Sequence, residues 1–247
     1  MTDRTVFRIT GEDARDFLRG LVTNDVGRLD KGAVWAAILS PQGKYLADFF
    51  LVPEGDAILL DVATPLAAGL LQRLTMYKLR SKVSIEPSGI DVSRGLGPVP
   101  DGAFADPRHE ALGWRAYDGR AGEPLDDTSI RVAHCIPESG IELIPNDTYP
   151  LEAGFERLHG VDFRKGCYVG QEVTARMKHK TELRKGLATV EIEGEAPVGT
   201  EIITEDGKAA GTLYSQAEGK AIAYLRFDRA TGPMRAGDAR LRLPDGA

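Results

Sequence analysis

From Lys185 to the C-terminus the chain is written almost entirely in short β runs, and this block limits the available folds more than any other feature. KGLATVEIE, EIITE, AAGTLYS, KAIAYLRF and ARLRLP follow at close spacing, separated by Gly, Pro and Asp turns. Runs that short and that frequent predict a small all-β barrel or sandwich. The residues before the block mix helical and strand periods. The change of period places a boundary at 182/183 and divides the chain in three. These parts are an N-terminal α+β part over 1–88, a second α+β part over 89–182 and a C-terminal β-barrel over 183–247.

The first part reads cleanly. Thr10 is placed to N-cap a helix, with Asp13 where a capping box puts an acid. Ala14, Phe17, Leu18, Leu21 and Val22 then follow the spacing of one helical face. Strands are expected over 33–39, 45–52 and 57–62, with Pro41-Gln42-Gly43-Lys44 as a turn. Thr64 and Pro65 read as an N-cap and a first-turn proline. The helix they open carries Leu66, Leu70, Leu71 and Leu74, and a strand returns over 82–86. Helices on one face of a mostly antiparallel sheet make an α+β fold. Residues 87–108, with Pro87, Pro98, Pro100 and Pro107, read as a linker or long surface loop. A strand near 112–117, a helix near 127–134, a loop over 140–150 and a short helix over 151–160 follow.

Charge and composition exclude several classes of function. Lys plus Arg is 31 and Asp plus Glu is 37, a net charge of −6, which argues against a sequence-independent nucleic-acid binder. No apolar run reaches the roughly 18 residues of a membrane span. The segment MTDRTVFRIT lacks both the apolar core of a secretory signal and the Arg- and Ser-rich character of a transit peptide, so a cytoplasmic protein is expected. Two cysteines, Cys135 and Cys167, rule out a disulfide framework and suggest a reducing compartment. They are also too few for a cluster or zinc ion held by Cys alone. His134, His159 and His179 lack ligand spacing relative to each other or to the cysteines, so no metal site is expected.

The sharpest local feature is Lys165-Gly166-Cys167-Tyr168-Val169-Gly170-Gln171-Glu172. Two glycines flank a cysteine just before a plausible helix over 172–179. A helix N-terminus and a nearby lysine favour the thiolate and lower a thiol pKa from its usual value of about 8.5. Cys167 is then either a reactive thiol or a small residue in a tight turn. Cys135, among the apolar neighbours of VAHCIP, reads as a core cysteine. Two acids stand out. Glu152, in the apolar run PLEAGF, either complements a helix dipole or faces a pocket, where it would accept paired N–H donors such as a pteridine ring offers. Asp48 interrupts LADFFLV and faces either solvent or a cleft, because Phe49 and Phe50 break the alternation.

Together, ITGEDARDFLRGLVTNDV, SPQGKYLAD, YKLRSKV, PLEAGF and above all KGCYVGQE resemble the YgfZ-type folate-binding proteins. These are related to the glycine-cleavage aminomethyltransferase. The resemblance spans residue 8 to about 190 and continues as a β module. It implies an aminomethyltransferase-like body of mixed and antiparallel sheets, with covering helices around a central channel, plus a small C-terminal β-barrel. The implied ligand is tetrahydrofolate or a one-carbon derivative. The implied partners are iron–sulfur client or assembly proteins, with neither nucleic acid nor membrane, and a monomer is expected. Residue by residue, Cys167 and Lys165 become the candidate reactive pair. Glu152 matches the glutamate that grips the pterin. Asp48 stands at an aspartate pair whose first position here is Ala47. Asn24 and Asp25 match a TND segment, and Tyr168, Gln171 and Glu172 belong to the signature. All seven of these last residues are expected at the folate site. Two functions follow: a folate-dependent accessory factor for assembly or repair of iron–sulfur enzymes, using a reactive cysteine, or a folate-dependent aminomethyl or methyl transferase acting on a small amine. A folate-binding module without catalysis is a third, lesser reading.

Overall fold

In the computed structural model, which describes residues 4–120, 122, 124–179 and 183–244, the N-terminal part is built on one sheet. β1 (Arg4–Thr10), β2 (Val34–Leu39), β3 (Tyr45–Glu54), β4 (Ala57–Ala63) and β5 (Ser84–Pro87) lie antiparallel in the order β2-β3-β4-β1-β5. β3 shows no alternation because it is buried on both sides, and such a strand reads as a continuous apolar run. Ala47, Phe49 and Leu51 enter a first core with Leu18, Leu70 and Leu74, from α1 (Ala14–Arg19) and α2 (Thr64–Lys78). Phe50 and Val52 enter a second core against Tyr117, Ile136, Phe155 and Tyr168 from the middle of the chain.

Several local expectations change. β1, absent from the sequence reading, takes in Thr10, which therefore caps nothing. Asp13 is the N-cap residue of α1, yet its carboxylate accepts the Lys82 backbone N–H at 2.8 Å instead of one from its own helix. α1 stops at Arg19, but Ala14, Phe17, Leu18, Leu21 and Val22 are all buried, so the periodicity had the right face. Ala63 takes the N-cap of α2, and the Thr64 hydroxyl instead lies 2.9 Å from that of Thr5.

Residues 87–108 are not a linker. β6 (Ser93–Gly95) and β7 (Phe104–Ala105) flank β8 (Trp114–Ala116) in a three-stranded sheet. Strands this short fit between the prolines, whose missing N–H groups would break a longer ladder. α3 (Thr128–Ala133) follows as expected. Residues 151–159 form consecutive turns instead of a helix, and His159 has a φ of 58°. Side chains from across the sheet take the carbonyls there: Asn24 donates to His159 O at 2.6 Å and Thr23 to Gly160 O at 2.7 Å.

The second core also holds a buried ionic cluster. Asp61 accepts from Arg4 at 2.6 Å, Arg115 at 2.9 Å and Tyr117 at 2.8 Å. Asp106 pairs with Arg108 at 2.8 Å and Arg115 at 3.3 Å. The Arg115 guanidinium lies 3.6 Å from the centre of the Phe50 ring. Burial alone would raise the Asp61 and Asp106 carboxyls, but the arginines hold both below the usual carboxylate range.

α4 (Gln171–His179) leads toward the barrel, and the expected boundary at 182/183 falls beside residues 180–182, outside the described residues. β9 (Lys185–Glu193), β10 (Glu201–Thr204), β11 (Ala209–Ala217), β12 (Lys220–Arg226), β13 (Met234–Ala236) and β14 (Ala239–Arg242) close in the order β10-β11-β12-β9-β14-β13. Val190, Ile202, Leu213, Ala223 and Leu241 fill its own core. Closure removes the sheet edges that would otherwise invite further pairing.

Candidate functional site

A cavity of about 1000 Å³ lies where the middle of the chain meets the barrel, and Glu152 is in its wall. Tyr224, on β12, donates to Glu152 Oε2 at 2.7 Å. The backbone is fixed too, since Leu187 N on β9 donates to the Glu152 carbonyl at 2.7 Å. Burial pushes the Glu152 carboxyl above the usual carboxylate range, against the opposing pull of Tyr224 and Lys185. A carboxylate can accept about four hydrogen bonds, so this one has capacity left for a donor-bearing ligand. Tyr149 and Tyr214 add flat aromatic walls, and Met177 and Leu187 add apolar ones. Lys44, Arg184 and Lys185 supply positive charge at the same cavity.

Glu142 is a cavity residue that the sequence reading missed, because it sat in a stretch taken as plain loop. Its side chain is fully buried and accepts backbone N–H groups from Ser215 at 3.1 Å and Glu138 at 2.9 Å. Arg131 Nη1 lies 3.6 Å away and ties the cavity wall to the ion pairs of Asp127 with Arg131 and Arg94.

The other expected folate residues are not in that wall. Asp48 lies inside, where its carboxylate accepts from Trp35 Nε1 at 2.9 Å, Tyr45 OH at 2.7 Å and Ser139 OH at 2.6 Å. The acid pair's first position, Ala47, points to the opposite face of the sheet, into the first core. Asn24 donates to the carbonyls of Trp35 at 2.8 Å and of His159, while Asp25 caps a 3-10 turn by accepting from Gly27 N at 3.0 Å. The TND segment is thus a clasp between the first sheet and residues 159–162.

The signature loop wraps an edge. Tyr168 packs into the second core and Val169 against the first. Gly170 has a φ of 83°, and a Cβ there would lie 2.5 Å from the Ser40 carbonyl. Gly43, with a φ of 74°, would bring a Cβ to 2.7 Å from Val173 Cβ. The turn SPQGK and the loop KGCYVGQE therefore interlock, each needing glycine where it meets the other. Gln171 opens α4, and Glu172 pairs on the surface with Arg176. Cys167 is exposed and is not among the cavity-lining residues. Lys165 turns inward: its amine donates to the Arg19 carbonyl at 2.7 Å, at the C-terminal end of α1, and lies 4.6 Å from the centre of the Tyr168 ring. Burial brings that amine down to about 8.

Residues 184–246 match the family described as the CAF17 C-terminal β-barrel domain. Among solved structures the chain is similar to aminomethyltransferase T of the glycine cleavage system from Bartonella henselae. The TM-score is 0.76 over 99% of this chain and 84% of that one, at 13% identity, so the fold is what they share. The molecule is therefore a protein of the aminomethyltransferase-like fold with a closed C-terminal barrel. It is 31% identical to the mitochondrial iron–sulfur cluster assembly factor IBA57 of Mus musculus, over 94% of this chain and 78% of the relative. It is 29% identical to the Homo sapiens protein of the same name, over 99% and 80%. The chain belongs to the IBA57 family. The cytoplasmic placement expected from the sequence is overturned by these relatives, which are named as mitochondrial. Two unbridged cysteines separate reducing from oxidising surroundings, not one reducing compartment from another.

Proposed function

We propose that this chain is a tetrahydrofolate-binding accessory factor for assembly or repair of iron–sulfur enzymes, with Cys167 as its working thiol. The observation that carries the folate reading is Glu152: an acid under-supplied with donors, fixed by Tyr224 and Leu187, in a tyrosine-walled cavity. A pterin ring offers adjacent N–H donors to the carboxylate and a flat face to the tyrosines. Lys44, Arg184 and Lys185 suit the carboxylates of the glutamate tail. Bound tetrahydrofolate supplies ring nitrogens able to carry one-carbon units. This chain's residues hold and orient it and exclude water around it. The iron–sulfur part rests on the relatives' names.

The transferase alternative needs an acid free to meet the ligand. Asp48, the candidate for it, is engaged by Trp35, Tyr45 and Ser139, so the accessory role is preferred. Calorimetry with tetrahydrofolate tests the assignment. A hydrogen bond to a charged group contributes about 1.5–3 kcal/mol, so Glu152→Ala should weaken binding at least tenfold. Equal affinity of the two proteins would remove Glu152 from the site.

A further inference from the structure

The helix-covered face of the first sheet carries a feature that the ligand cavity does not use. α2 ends at Lys78, and Met76, Tyr77 and the C-cap residue Leu79 are apolar side chains exposed to water. Met76 is 67% exposed and Leu79 88%. Leu79 also holds a φ of 43° with a ψ of −105°, a positive-φ backbone that a leucine rarely adopts and that glycine would adopt more readily. An exposed leucine in that conformation has no evident use within the fold, and such outliers gather at functional surfaces. Tyr77 and Leu79 border a groove of about 720 Å³ with Asp13, Arg80 and Ser81. Arg80 stands in its wall, Arg73 lies one turn before Tyr77 on α2 and Lys78 directly after it, and none of the three makes an ion pair among the described residues, in a chain whose net charge is −6.

The groove and Cys167 flank one short helix. Lys82 N reaches the Asp13 carboxylate at the N-terminal end of α1, and Lys165 reaches the Arg19 carbonyl at its C-terminal end. A helix of six residues is about 9 Å long. Val83 packs in the first core and Val169 against it, while Tyr168 enters the second, so the groove lies at one end of α1 and the signature loop that carries Cys167 turns the sheet edge at the other.

We propose that this face docks a protein partner that offers an apolar side chain to Tyr77 and Leu79 and carboxylates to Arg73, Lys78 and Arg80, at the other end of α1 from Cys167. A second copy of the chain fits poorly, because a two-fold contact would set this basic rim against itself. A lipid surface fits poorly too, because Asp13 stands in the wall of the groove. That the partner is an iron–sulfur protein rests on the function proposed above; the acidic docking face does not.

Photo-crosslinking in the host cell tests this, with p-benzoylphenylalanine in place of Leu79 in one strain and of Cys167 in another, and adducts mapped by peptide mass spectrometry. The proposal expects the position-79 adduct on a protein segment rich in Asp or Glu. Combining Arg73→Glu, Lys78→Glu and Arg80→Glu should cut it at least tenfold, with the unfolding midpoint unchanged. If that acidic segment belongs to a protein without an iron–sulfur cluster, the docking surface stands and the functional reading falls. If position 167 captures an iron–sulfur protein while position 79 captures none, the functional reading stands and the surface is refuted. An adduct of position 79 with a second copy, with lipid or with nucleic acid, or no adduct there, also overturns it.

Discussion

Cys135 and Cys167 are both unbridged, but Cys135, expected in the core, is half-buried, whereas Cys167 is exposed. Burial pushes the Cys135 thiol up to about 11, against the pull of Arg157 and Thr189. The thiolate is the reacting form, and Cys167 is exposed. Iodoacetamide near pH 8 should therefore alkylate Cys167 at least tenfold faster than Cys135. Intact-mass spectrometry with Cys135→Ser and Cys167→Ser proteins reads the two rates separately, and equal rates would contradict the placement of the thiols. At this scale the site was legible in part. Glu152 announced itself as an acid in an apolar run. Asp48 did so equally, but its environment is made by Trp35, Tyr45 and Ser139, which local pattern does not bring together. Tyr214 and Tyr224 carry no local signal either, since only barrel closure brings them to Glu152. Lys165 was read as a charge beside the thiol; its amine does interact with Cys167, but what local pattern could not show is its hydrogen bond to the end of α1.

The signature glycines differ in what they do for the elements they join. Gly170 meets the Ser40 carbonyl with a positive φ, whereas nothing among the described residues lies within 4 Å of a Cβ at Gly166. Gly170→Ala should cost at least about 2 kcal/mol by urea unfolding, from the left-handed backbone and the backbone clash together. Gly166→Ala should stay within about 0.5 kcal/mol. The reverse ranking would refute the interlock of the two turns. A second element-scale prediction concerns the ion pairs between β1, β4 and β8. Asp61 is held below its unfolded value, so its contribution is present above about pH 4 and is lost as pH falls through the lower folded value. Asp61→Asn leaves Arg4 and Arg115 without that countercharge and should cost about 3–5 kcal/mol at pH 7. The mutant's stability should also fall less steeply below pH 4 than the wild type's, and parallel acid limbs would remove Asp61 from the linkage. Helix faces and barrel strands were readable because one period runs through each. β1 and the strands at 93–95 and 104–105 were not, because they are short or buried on both sides and owe their existence to partners distant in sequence. The ionic cluster was invisible for a related reason: its charges are scattered singly along the chain and meet only in the second core.

The barrel has a core of its own, yet its strands wall the cavity that holds Glu152. The ties across that boundary are mostly polar: Tyr224 to Glu152, Leu187 N to the Glu152 carbonyl, Ser215 N to Glu142, and the Thr189 hydroxyl to the Val132 carbonyl at 2.7 Å. A ligand seated between Glu152 and Tyr224 would add contacts to both sides at once. Tetrahydrofolate at about a hundred times its Kd should then stabilise the folded chain by about 2.7 kcal/mol. For a chain of this length that corresponds to a rise of roughly 5–10 °C in the unfolding midpoint. Both tryptophans, Trp35 and Trp114, lie outside the barrel, so their fluorescence follows the body alone. Far-UV circular dichroism follows barrel and body together. Ligand should raise the midpoint equally by both probes, and Glu152→Ala should abolish most of the rise. A ligand-induced rise in tryptophan fluorescence alone, with part of the dichroism change left at the ligand-free temperature, would mean that the ligand binds the body without bridging to the barrel, and Tyr224 would lose its place in the site.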